Sequence, residues 1–280
     1  MLFANSALAV AVATAAAVSH VAAACQAINS VMTIVLENQD TSTILADSYM
    51  GSTLVKKGYL LNNFYGVTHP SQPNYIAMIS GSRNLCLLDF DCKIGANSIV
   101  DLLEQKGKTW KSYQESYPGN CFTGTSSGTY RRKHNPFMSF DNIRGNPTRC
   151  ANIVNSDQLS RDAAAGKLPN YIFYTPDMNN DGHDTSASYA SNWLKTFLEP
   201  KLVDPAYANV LFHVVFDESE TYFGPNHIYS ILLGKGIKGV GLVDNAHYDH
   251  YSFLATLEGI FDLGNLGKHD KDAVRIPLSC

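Results

Sequence analysis

Four short apolar runs constrain the fold of this chain more than any other feature. They are rich in β-branched and aromatic residues and nearly continuous rather than alternating, which is typical of strands buried on both faces. The runs occupy residues 31–36, 171–175, 210–216 and 228–233. Segments 58–64 and 109–113 are weaker strand candidates. The pattern predicts a sheet in the interior of the protein.

Helical patterns lie between these strands. They cover residues 41–57, 73–80, 98–105, 156–165, 186–198 and 251–261. Alternating strands and helices predict a mostly parallel sheet with helices on both faces, a three-layer α/β/α sandwich. The length of 280 residues and the 45% hydrophobic content fit one large domain, with two small domains as the alternative. Segment 114–150 breaks the rhythm and is expected to be a long excursion that partly covers a site.

The first residues and the cysteines predict the compartment. Residues 8–18 form an uncharged apolar run that small residues follow, so we expect a signal peptide at 1–24 and a mature single domain at 25–280. A buried N-terminal helix or a lipoprotein with lipidated Cys25 are the alternatives. Six cysteines in an exported chain allow up to three disulfides in fifteen connectivities, with Cys86–Cys92 the expected local pair. The predicted location is secreted, extracellular or in the cell wall.

Charge limits the partners. The formal net charge is −4, and only residues 131–133 concentrate positive charge, enough for one phosphate group but not for nucleic acid. No apolar run is long enough to span a bilayer, so no stable membrane anchor is expected.

Polar side chains follow three of the predicted strands directly. Glu37 and Asn38 follow the first, Asp177 follows the second, and Asp217 and Glu218 follow the third. A single acid in such a place is most simply a cap or turn residue. In open α/β sheets, however, ligands bind beyond the carboxyl ends of the strands, so these residues are expected to converge. Because clustered carboxylates repel one another unless a cation joins them, the pattern predicts a divalent metal ion.

A second feature is the segment THPSQPNY, in which two prolines fix a turn that enters a helix. This places Ser71 at or near the helix N-terminus. Ser71 is then either an ordinary N-cap or a nucleophile favoured by the helix N-terminus and an adjacent metal ion. Asn74, in the first turn, could donate a hydrogen bond to a phosphoryl oxygen.

Two further segments contain histidines, RRKHNP with His134 and PDMNNDGHD with His183 and Asp184. The first could be only a solvated basic loop. The second could be an Asx-rich turn, but it lacks the spacing of a calcium loop. A carboxylate beside a histidine can orient the imidazole for proton transfer, which favours a catalytic role for His183 and Asp184.

Eight segments in order resemble the phosphoesterase family that includes fungal and bacterial acid phosphatases and the non-haemolytic bacterial phospholipases C, distant members of the alkaline phosphatase superfamily. The segments are LENQD, NNFYGVTHPSQPNYIAMISG, TWKSYQESYPGNC, YRRKHNPFMSF, LPNYIFYTPDMNNDGHD, VVFDES, NHIYSILLG and HYSFLATLEGIFDLG. Together they extend over almost all of the predicted mature chain. The resemblance implies an alkaline-phosphatase-like fold.

The resemblance also implies roles for individual residues. The metal site would bind one divalent ion of unknown identity, with the ligands Glu37, Asn38, Ser71, Asp217 and Glu218. Ser71 would be the nucleophile, and His134 and His183 would surround the phosphoryl group. The candidates with less defined roles are His69, Asn74, Asp177, Asp184, His227 and His250.

These features predict a secreted acid phosphatase that hydrolyses small phosphate monoesters through a phosphoserine intermediate. Protonated His134 and His183, with Lys133, would supply positive charge for the phosphate, and histidine protonation near pH 6.5 predicts an acidic optimum. The alternatives are a phospholipase C or phosphodiesterase with the same site, and a catalytically silent secreted binding protein. We expect the chain to lack the extra C-terminal domains of the phospholipases, which favours the monoester.

Overall fold

The four apolar runs form the middle of an eight-stranded sheet in the computed structural model, which describes residues 28–279. The predicted signal peptide, Cys25 and Cys280 lie outside the described residues. The strands, in chain order, are β1 (Ser30–Leu36), β2 (Tyr59–Leu61), β3 (Phe64–Tyr65), β4 (Trp110–Gln114), β5 (Ser126–Ser127), β6 (Tyr130–Arg131), β7 (Ile153–Asn155), β8 (Tyr171–Thr175), β9 (Val210–Phe216), β10 (His227–Ile228), β11 (Ser230–Gly234), β12 (Leu242–Asp244) and β13 (Tyr248–Asp249).

The large sheet has the strand order β12-β2-β11-β9-β1-β8-β4-β7. Strands β9, β1, β8, β4 and β7 run parallel to one another, and β11 runs antiparallel to both of its neighbours. Strands β10, β3 and β13 form a small second sheet, and β5 pairs with β6. The prediction of a mostly parallel sheet is therefore confirmed.

The helices, in chain order, are α1 (Thr41–Leu45), a π-helix (Ser48–Leu54), α2 (Val55–Lys57), α3 (Ser71–Ser80), α4 (Ile99–Gln105), α5 (Asp141–Arg144), α6 (Pro147–Cys150), α7 (Gln158–Ala164), α8 (Ala187–Val203), α9 (His250–Ile260) and α10 (His269–Asp272). Short 3-10 turns lie at Arg132–His134, Pro136–Ser139 and Pro205–Tyr207. Among residues 28–279, every helix is too short or too polar to cross a bilayer.

Strand register shows that helices cover both faces of the sheet. Phe173 of β8 and His213 of β9 are both aligned with Thr33 of β1, so their side chains share one face. On that face His213 stacks on Phe253 of α9, with ring centroids 3.7 Å apart. The next residue of β8, Tyr174, points to the other face, where its ring contacts Phe197 of α8. The two ring centroids are 4.4 Å apart. Every residue of β1 and β9 is consequently buried.

Three predicted elements differ from the structure. The strand candidate 58–64 is divided between β2 of the large sheet and β3 of the small one. The predicted helix 41–57 is divided into α1, the π-helix and α2, because Asp47 caps a new helical segment by accepting hydrogen bonds from the amides of Tyr49 and Met50. The predicted strand 228–233 is divided at Tyr229 between the two sheets. Segment 114–150 contains short elements and is joined internally by the Cys121–Cys150 disulfide. The expected Cys86–Cys92 disulfide is confirmed.

Candidate active site

Adjacent parallel strands bring Glu37 and Asp217 to the same edge of the sheet. The last residues of β1 and β9, Leu36 and Phe216, are register partners, and the Asp217 amide donates to the Leu36 carbonyl at 3.0 Å. Glu37, Asp217 and Glu218 are all completely buried. The expected convergence beyond the strand ends therefore occurs for these three acids. It does not occur for Asp177, whose carboxylate instead accepts hydrogen bonds from the Ser116 and Thr129 hydroxyls.

Ser71 is the first residue of α3, with Pro70 at the N-cap position, and it lies against this acidic edge. Its hydroxyl Oγ donates to Glu218 Oε1 at 3.0 Å and to Glu37 Oε2 at 3.1 Å, and it lies 3.4 Å from Asn38 Oδ1. The free amides of the first helical turn make this position favourable for a negatively charged group. The structure thus brings the serine to the acids that lie 34 and 147 residues away in sequence.

Asn38 completes the predicted ligand set. Its backbone is left-handed (φ 44°), a conformation that asparagine tolerates better than most residues, and its amide N donates to Asp217 Oδ1 at 3.3 Å. The side-chain amide faces Glu37 Oε2 at 3.2 Å and Asp217 Oδ1 at 3.1 Å. An amide nitrogen at this place donates to both acids, whereas an amide oxygen there requires a cation between the oxygens.

Asp181 is a buried acid of the site that the sequence analysis did not assign. Its Oδ2 lies 3.6 Å from His134 Nδ1, and its Oδ1 accepts a hydrogen bond from the His183 amide at 2.8 Å. The Glu37 amide donates to the Asp181 carbonyl at 3.0 Å, which fixes this loop to the end of β1. The sequence signal was the acid before the Gly-His pair in the segment NNDGHD. This segment is rich in residues that form turns, so the sequence gave no reason to select Asp181 rather than its neighbours.

Tyr75 is a second residue that the pattern did not reveal. Its hydroxyl donates to Glu37 Oε1, and its ring stacks on His134 at 5.1 Å. His134 Nε2 lies 3.3 Å from the same Glu37 oxygen. Because Tyr75 is one turn after Ser71 on α3, the helix that presents the serine also holds Glu37 and His134 in place.

The chemistry of the donors fits a cation. Glu37, His134 and Asp181 form a buried group whose ligand atoms lie within 4.8 Å of one another and could hold a metal ion. Asp217 Oδ2 is buried and accepts no hydrogen bond from any residue of the described chain. Burial is the largest cause that raises the pKa of Asp217, to about 7, and that of Glu218, to about 9. The pKa of Glu37 is also raised, first by burial and then by the charge of Asp217.

Such carboxylates are costly to ionise without a compensating positive charge. A divalent ion would supply that charge. The structure therefore fits the metal ion that the family resemblance implies, and the His134–Asp181 side extends the acidic region beyond the five predicted ligands.

The expectation that His134 is protonated near pH 6.5 is wrong. His134 is 2% exposed, and burial lowers the pKa of its imidazole well below the ordinary value, with the charges of Lys133 and His183 lowering it further. Its ring lies between two acids, with Nε2 3.3 Å from Glu37 Oε1 and Nδ1 3.6 Å from Asp181 Oδ2. His134 therefore cannot supply the positive charge that the acidic optimum was argued from.

The basic segment 131–133 is also less available than expected. Arg132 is buried and donates to the carbonyls of Thr123 and Met138, which is a structural role. Lys133 pairs with Asp89 at 3.0 Å. Burial would lower the pKa of Lys133, but the negative charges of Glu37 and Asp89 outweigh it and raise the pKa, so this lysine stays charged beside the site.

His183 and Asp184 form the pair that the sequence predicted. His183 Nδ1 lies 2.8 Å from Asp184 Oδ1, and the His183 side chain is 29% exposed at the mouth of the site. Its ring centroid lies 6.1 Å from that of His134. The geometry leaves Nε2 of His183 free of this carboxylate.

Asn74 makes contacts that differ from the predicted one. Its Oδ1 accepts hydrogen bonds from the amides of Val67 and Thr68, and its Nδ2 donates to the carbonyls of Thr68 at 2.8 Å and Pro70 at 3.3 Å. Asn74 thus shapes the turn that presents Ser71. A phosphoryl oxygen would have to replace the longer of the two donated bonds.

The remaining histidine and acid candidates divide into two groups. Two lie beside the acidic edge, since His69 Nδ1 pairs with Glu218 Oε2 and His250 Nε2 lies 2.7 Å from the Asp217 carbonyl. Two contact other parts of the chain, since His227 Nε2 lies 2.7 Å from the Asn62 carbonyl and Asp177 accepts hydrogen bonds from hydroxyls. His227 and Asp177 therefore support neighbouring loops.

Comparison with known proteins identifies the family of the chain. The model of the phosphoesterase family matches residues 26–264. The chain belongs to the phosphoesterase family. This phosphoesterase is 43% identical over 254 residues to a probable acid phosphatase of Kluyveromyces lactis. The match covers 86% of this chain and 60% of the relative. It is also 38% identical over 256 residues to an acid phosphatase of Aspergillus fumigatus, and this match covers 87% of this chain and 57% of the relative. The chain thus spans about three fifths of the length of these relatives.

Solved structures show the same fold. A protein of the alkaline phosphatase superfamily from Vibrio parahaemolyticus superposes on this phosphoesterase with a TM-score of 0.60 and 12% identity, covering 86% of this chain and 69% of the other. A phosphonate monoester hydrolase of Agrobacterium radiobacter superposes with a TM-score of 0.57 and 10% identity. This superposition covers 84% of this chain and 74% of the other. At this identity the likeness concerns the fold alone. The predicted alkaline-phosphatase-like architecture is confirmed.

Proposed function

We propose that this phosphoesterase is a secreted, metal-dependent phosphomonoesterase that acts through a phosphoserine intermediate. The observation that carries the proposal is the position of the Ser71 hydroxyl. It lies at a helix N-terminus and within 3.1 Å of two completely buried carboxylates, Glu37 and Glu218. The two fungal relatives are described as acid phosphatases, which supports phosphate monoesters as the substrates.

Glu37, Asn38, Ser71, Asp217 and Glu218 would hold one divalent metal ion in this proposal. When bound, the ion supplies positive charge that stabilises the phosphoryl group and lowers the pKa of a nearby hydroxyl. Asp217 contributes the buried, unpaired oxygen described above, and Glu37 is held in orientation by Tyr75.

The chain's own residues account for both chemical steps. Ser71 Oγ forms a bond to phosphorus as the bond from phosphorus to the ester oxygen breaks, and its proton passes to Glu218 Oε1, 3.0 Å away. Glu218 can accept this proton only while a bound cation keeps it ionised, because burial otherwise raises its pKa to about 9. His183 donates a proton to the departing alcohol, with Asp184 orienting the ring. Water then attacks the phosphoserine, and its oxygen and one hydrogen become part of the inorganic phosphate that leaves. Its other proton passes to His183, and the proton held by Glu218 returns to Ser71 Oγ.

Other residues of the site act by position. Asn74 fixes the turn before α3, and neutral His134 separates Glu37 from Asp181. Lys133 remains charged and contributes positive potential beside the acids. These residues reduce the reorganisation that the reaction would otherwise require.

We further propose that residues 1–24 are a signal peptide and that residues 25–280 act as one secreted phosphoesterase domain. The disulfides Cys86–Cys92 and Cys121–Cys150, found among residues 28–279, support an oxidising compartment.

The nucleophile is tested by replacing it. Ser71→Ala should lower kcat for a chromogenic phosphate monoester at least about 10³-fold while the thermal unfolding midpoint changes little. Ser80→Ala, on the last residue of the same helix, is the matched control and should retain activity. Acid quench of the unaltered enzyme during turnover should give a phosphorylated peptide that contains Ser71. Near-normal turnover by Ser71→Ala, or a phosphate on another residue, would refute the mechanism.

Substrate class is tested in the same assay. We expect a phosphate monoester to be hydrolysed with a higher kcat/KM than a phosphate diester or phosphatidylcholine. A preference for either of the latter would instead support the phosphodiesterase or phospholipase C alternative. No turnover of any ester, in protein with bound divalent metal, would support the silent binding protein.

A further inference from the structure

Two surface loops beside Ser71 carry exposed apolar side chains. The first is loop 84–92, which the Cys86–Cys92 disulfide closes. Its Asp89 accepts a hydrogen bond from the backbone amide of Gln72, the residue after Ser71, at 2.9 Å. The residues on either side of Asp89 are Leu88 and Phe90, which are 47% and 75% exposed. Apolar surface therefore lies close to the nucleophile.

The second loop, 219–226, carries Tyr222. Its ring stacks on the imidazole of His69, with centroids 4.4 Å apart and an angle of 22° between the planes. His69 in turn pairs with Glu218, which accepts the hydrogen bond of Ser71. Tyr222 is thus separated from the nucleophile by only two side chains.

The surrounding loop is held firmly. Thr221 donates to Asp40 from its amide at 3.0 Å and from its hydroxyl at 2.6 Å. The Ser219 amide donates to Asn226 Oδ1 at 2.8 Å. These bonds anchor the loop that carries Tyr222, and an anchored loop reduces the entropy cost of binding.

Both loops contact residues next to the nucleophile. Asp89 of the first loop accepts a hydrogen bond from the Gln72 amide, and Tyr222 of the second stacks on His69, the partner of Glu218. One face of the ring is covered by His69, yet the residue is 56% exposed. The rest of the ring is open to a ligand.

We propose that Tyr222 is a specificity-determining residue that stacks on the leaving group, so that the enzyme favours phosphate monoesters of aromatic alcohols. This inference rests on the proposed phosphomonoesterase activity. Aromatic surfaces stack favourably on one another, whereas a small polyhydroxy alcohol gains little from a ring face. Leu88 and Phe90 provide further apolar surface on the loop that contacts the Gln72 amide, next to the nucleophile.

Kinetics of two substrates test the proposal. The ratio of kcat/KM for 1-naphthyl phosphate to that for glycerol 2-phosphate cancels general damage to the site. Tyr222→Ala should lower this ratio about tenfold relative to the unaltered enzyme, and Tyr222→Phe, which keeps the ring, should restore it to within about twofold. Phe223→Ala is the matched control, because Phe223 is 96% exposed on the same loop. It should leave the ratio as it is.

Two results would overturn the assignment. An unchanged ratio in Tyr222→Ala means that the ring does not contact the leaving group. An equal loss for both substrates, with a shifted pH profile, means that Tyr222 acts by positioning His69.

A binding measurement separates this inference from the proposed function. Calorimetry with 1-naphthyl phosphate on Ser71→Ala, with and without Tyr222→Ala, needs no turnover. We expect about tenfold weaker binding in the double variant. Failure of the unaltered enzyme to hydrolyse either ester would refute the proposed function alone, while undetectable binding or equal affinities would refute the Tyr222 subsite.

Discussion

Asp162 and Asp217 are both buried carboxylates next to the large sheet, but their pKa values are shifted in opposite directions. Asp162 accepts hydrogen bonds from Lys111, Tyr113 and Gln158 at 2.6–2.9 Å. Burial would raise its pKa, yet these three donors outweigh burial and lower the pKa. Asp217 has one unpartnered oxygen within residues 28–279, and its pKa is raised to about 7.

The difference separates a structural acid from a functional one. The protein itself satisfies the charge of Asp162, so ionisation of this residue contributes to folding. The charge of Asp217 is left to be satisfied by something that binds. A buried acid therefore indicates a binding site only when the rest of the protein does not supply the hydrogen-bond donors or positive charge that it needs.

Of the variants that test this comparison, Asp217→Asn should have the largest effect. We expect kcat for a phosphate monoester to fall at least about 100-fold, because a ligand of the proposed metal ion is lost. In chelator-treated protein at pH 8, the same variant should unfold at a higher temperature than the unaltered protein. A folded pKa raised from 3.8 to about 7 means that stability is lost as the pH rises through that range, and asparagine avoids the loss.

Activity measurements and thermal unfolding, with and without divalent metal, check both parts. A chelated Asp217→Asn protein that is less stable at pH 8 would show that this region has no shortage of positive charge, and the contrast with Asp162 would fail.

The Asp162→Asn variant should have the complementary result. Its unfolding free energy at pH 7 should fall by about 2 kcal/mol, because a buried charge with three donors is removed, while kcat stays within about twofold. Since its folded pKa is lowered, the stabilisation is present above the unfolded value near 3.9 and disappears as the pH falls through the folded pKa.

Urea unfolding from pH 7 down to pH 2 measures this dependence. Asp157→Asn removes an exposed partner of Arg161 and is the matched control, with an expected change below about 0.5 kcal/mol. Equal losses in the two variants would mean that Asp162 is no better satisfied than a surface acid.

Glu258 on α9 sharpens the comparison, since it has a raised pKa away from the site. Both of its carboxylate oxygens lack hydrogen-bond partners among residues 28–279, and burial, followed by the charge of Asp270, raises its pKa to about 8. Its stabilising protonated form is fully present below pH 4.5 and is lost as the pH rises through 8.

Glu258→Gln should therefore raise the unfolding midpoint relative to the unaltered protein more at pH 9 than at pH 5, by a few degrees, with little change in kcat. Thermal scans at the two pH values measure the difference. A uniform shift at both pH values would contradict the raised pKa, and a large fall in kcat would show that Glu258 belongs to the catalytic region.

The sequence predicted the central strands well because they carry a strong local signal. Residues 210–216 were predicted with the observed bounds, since a buried strand is apolar throughout. Asp181 and Tyr75 were missed because their roles depend on contacts with Glu37 and His134, which are distant in sequence. The π-helix was missed because a helical pattern does not reveal the cap at Asp47.

The sequence by itself determined the alternation of strands and helices and the positions of the acids at the strand ends. Only the tertiary structure decided their chemistry. Protonation depends on burial and on neighbouring charges. Burial, followed by the charge of Lys133, therefore lowers the pKa of His134, although its segment alone could have been a solvated loop. Periodicity is encoded locally along the chain, whereas solvation and electrostatic energy depend on which distant segments meet.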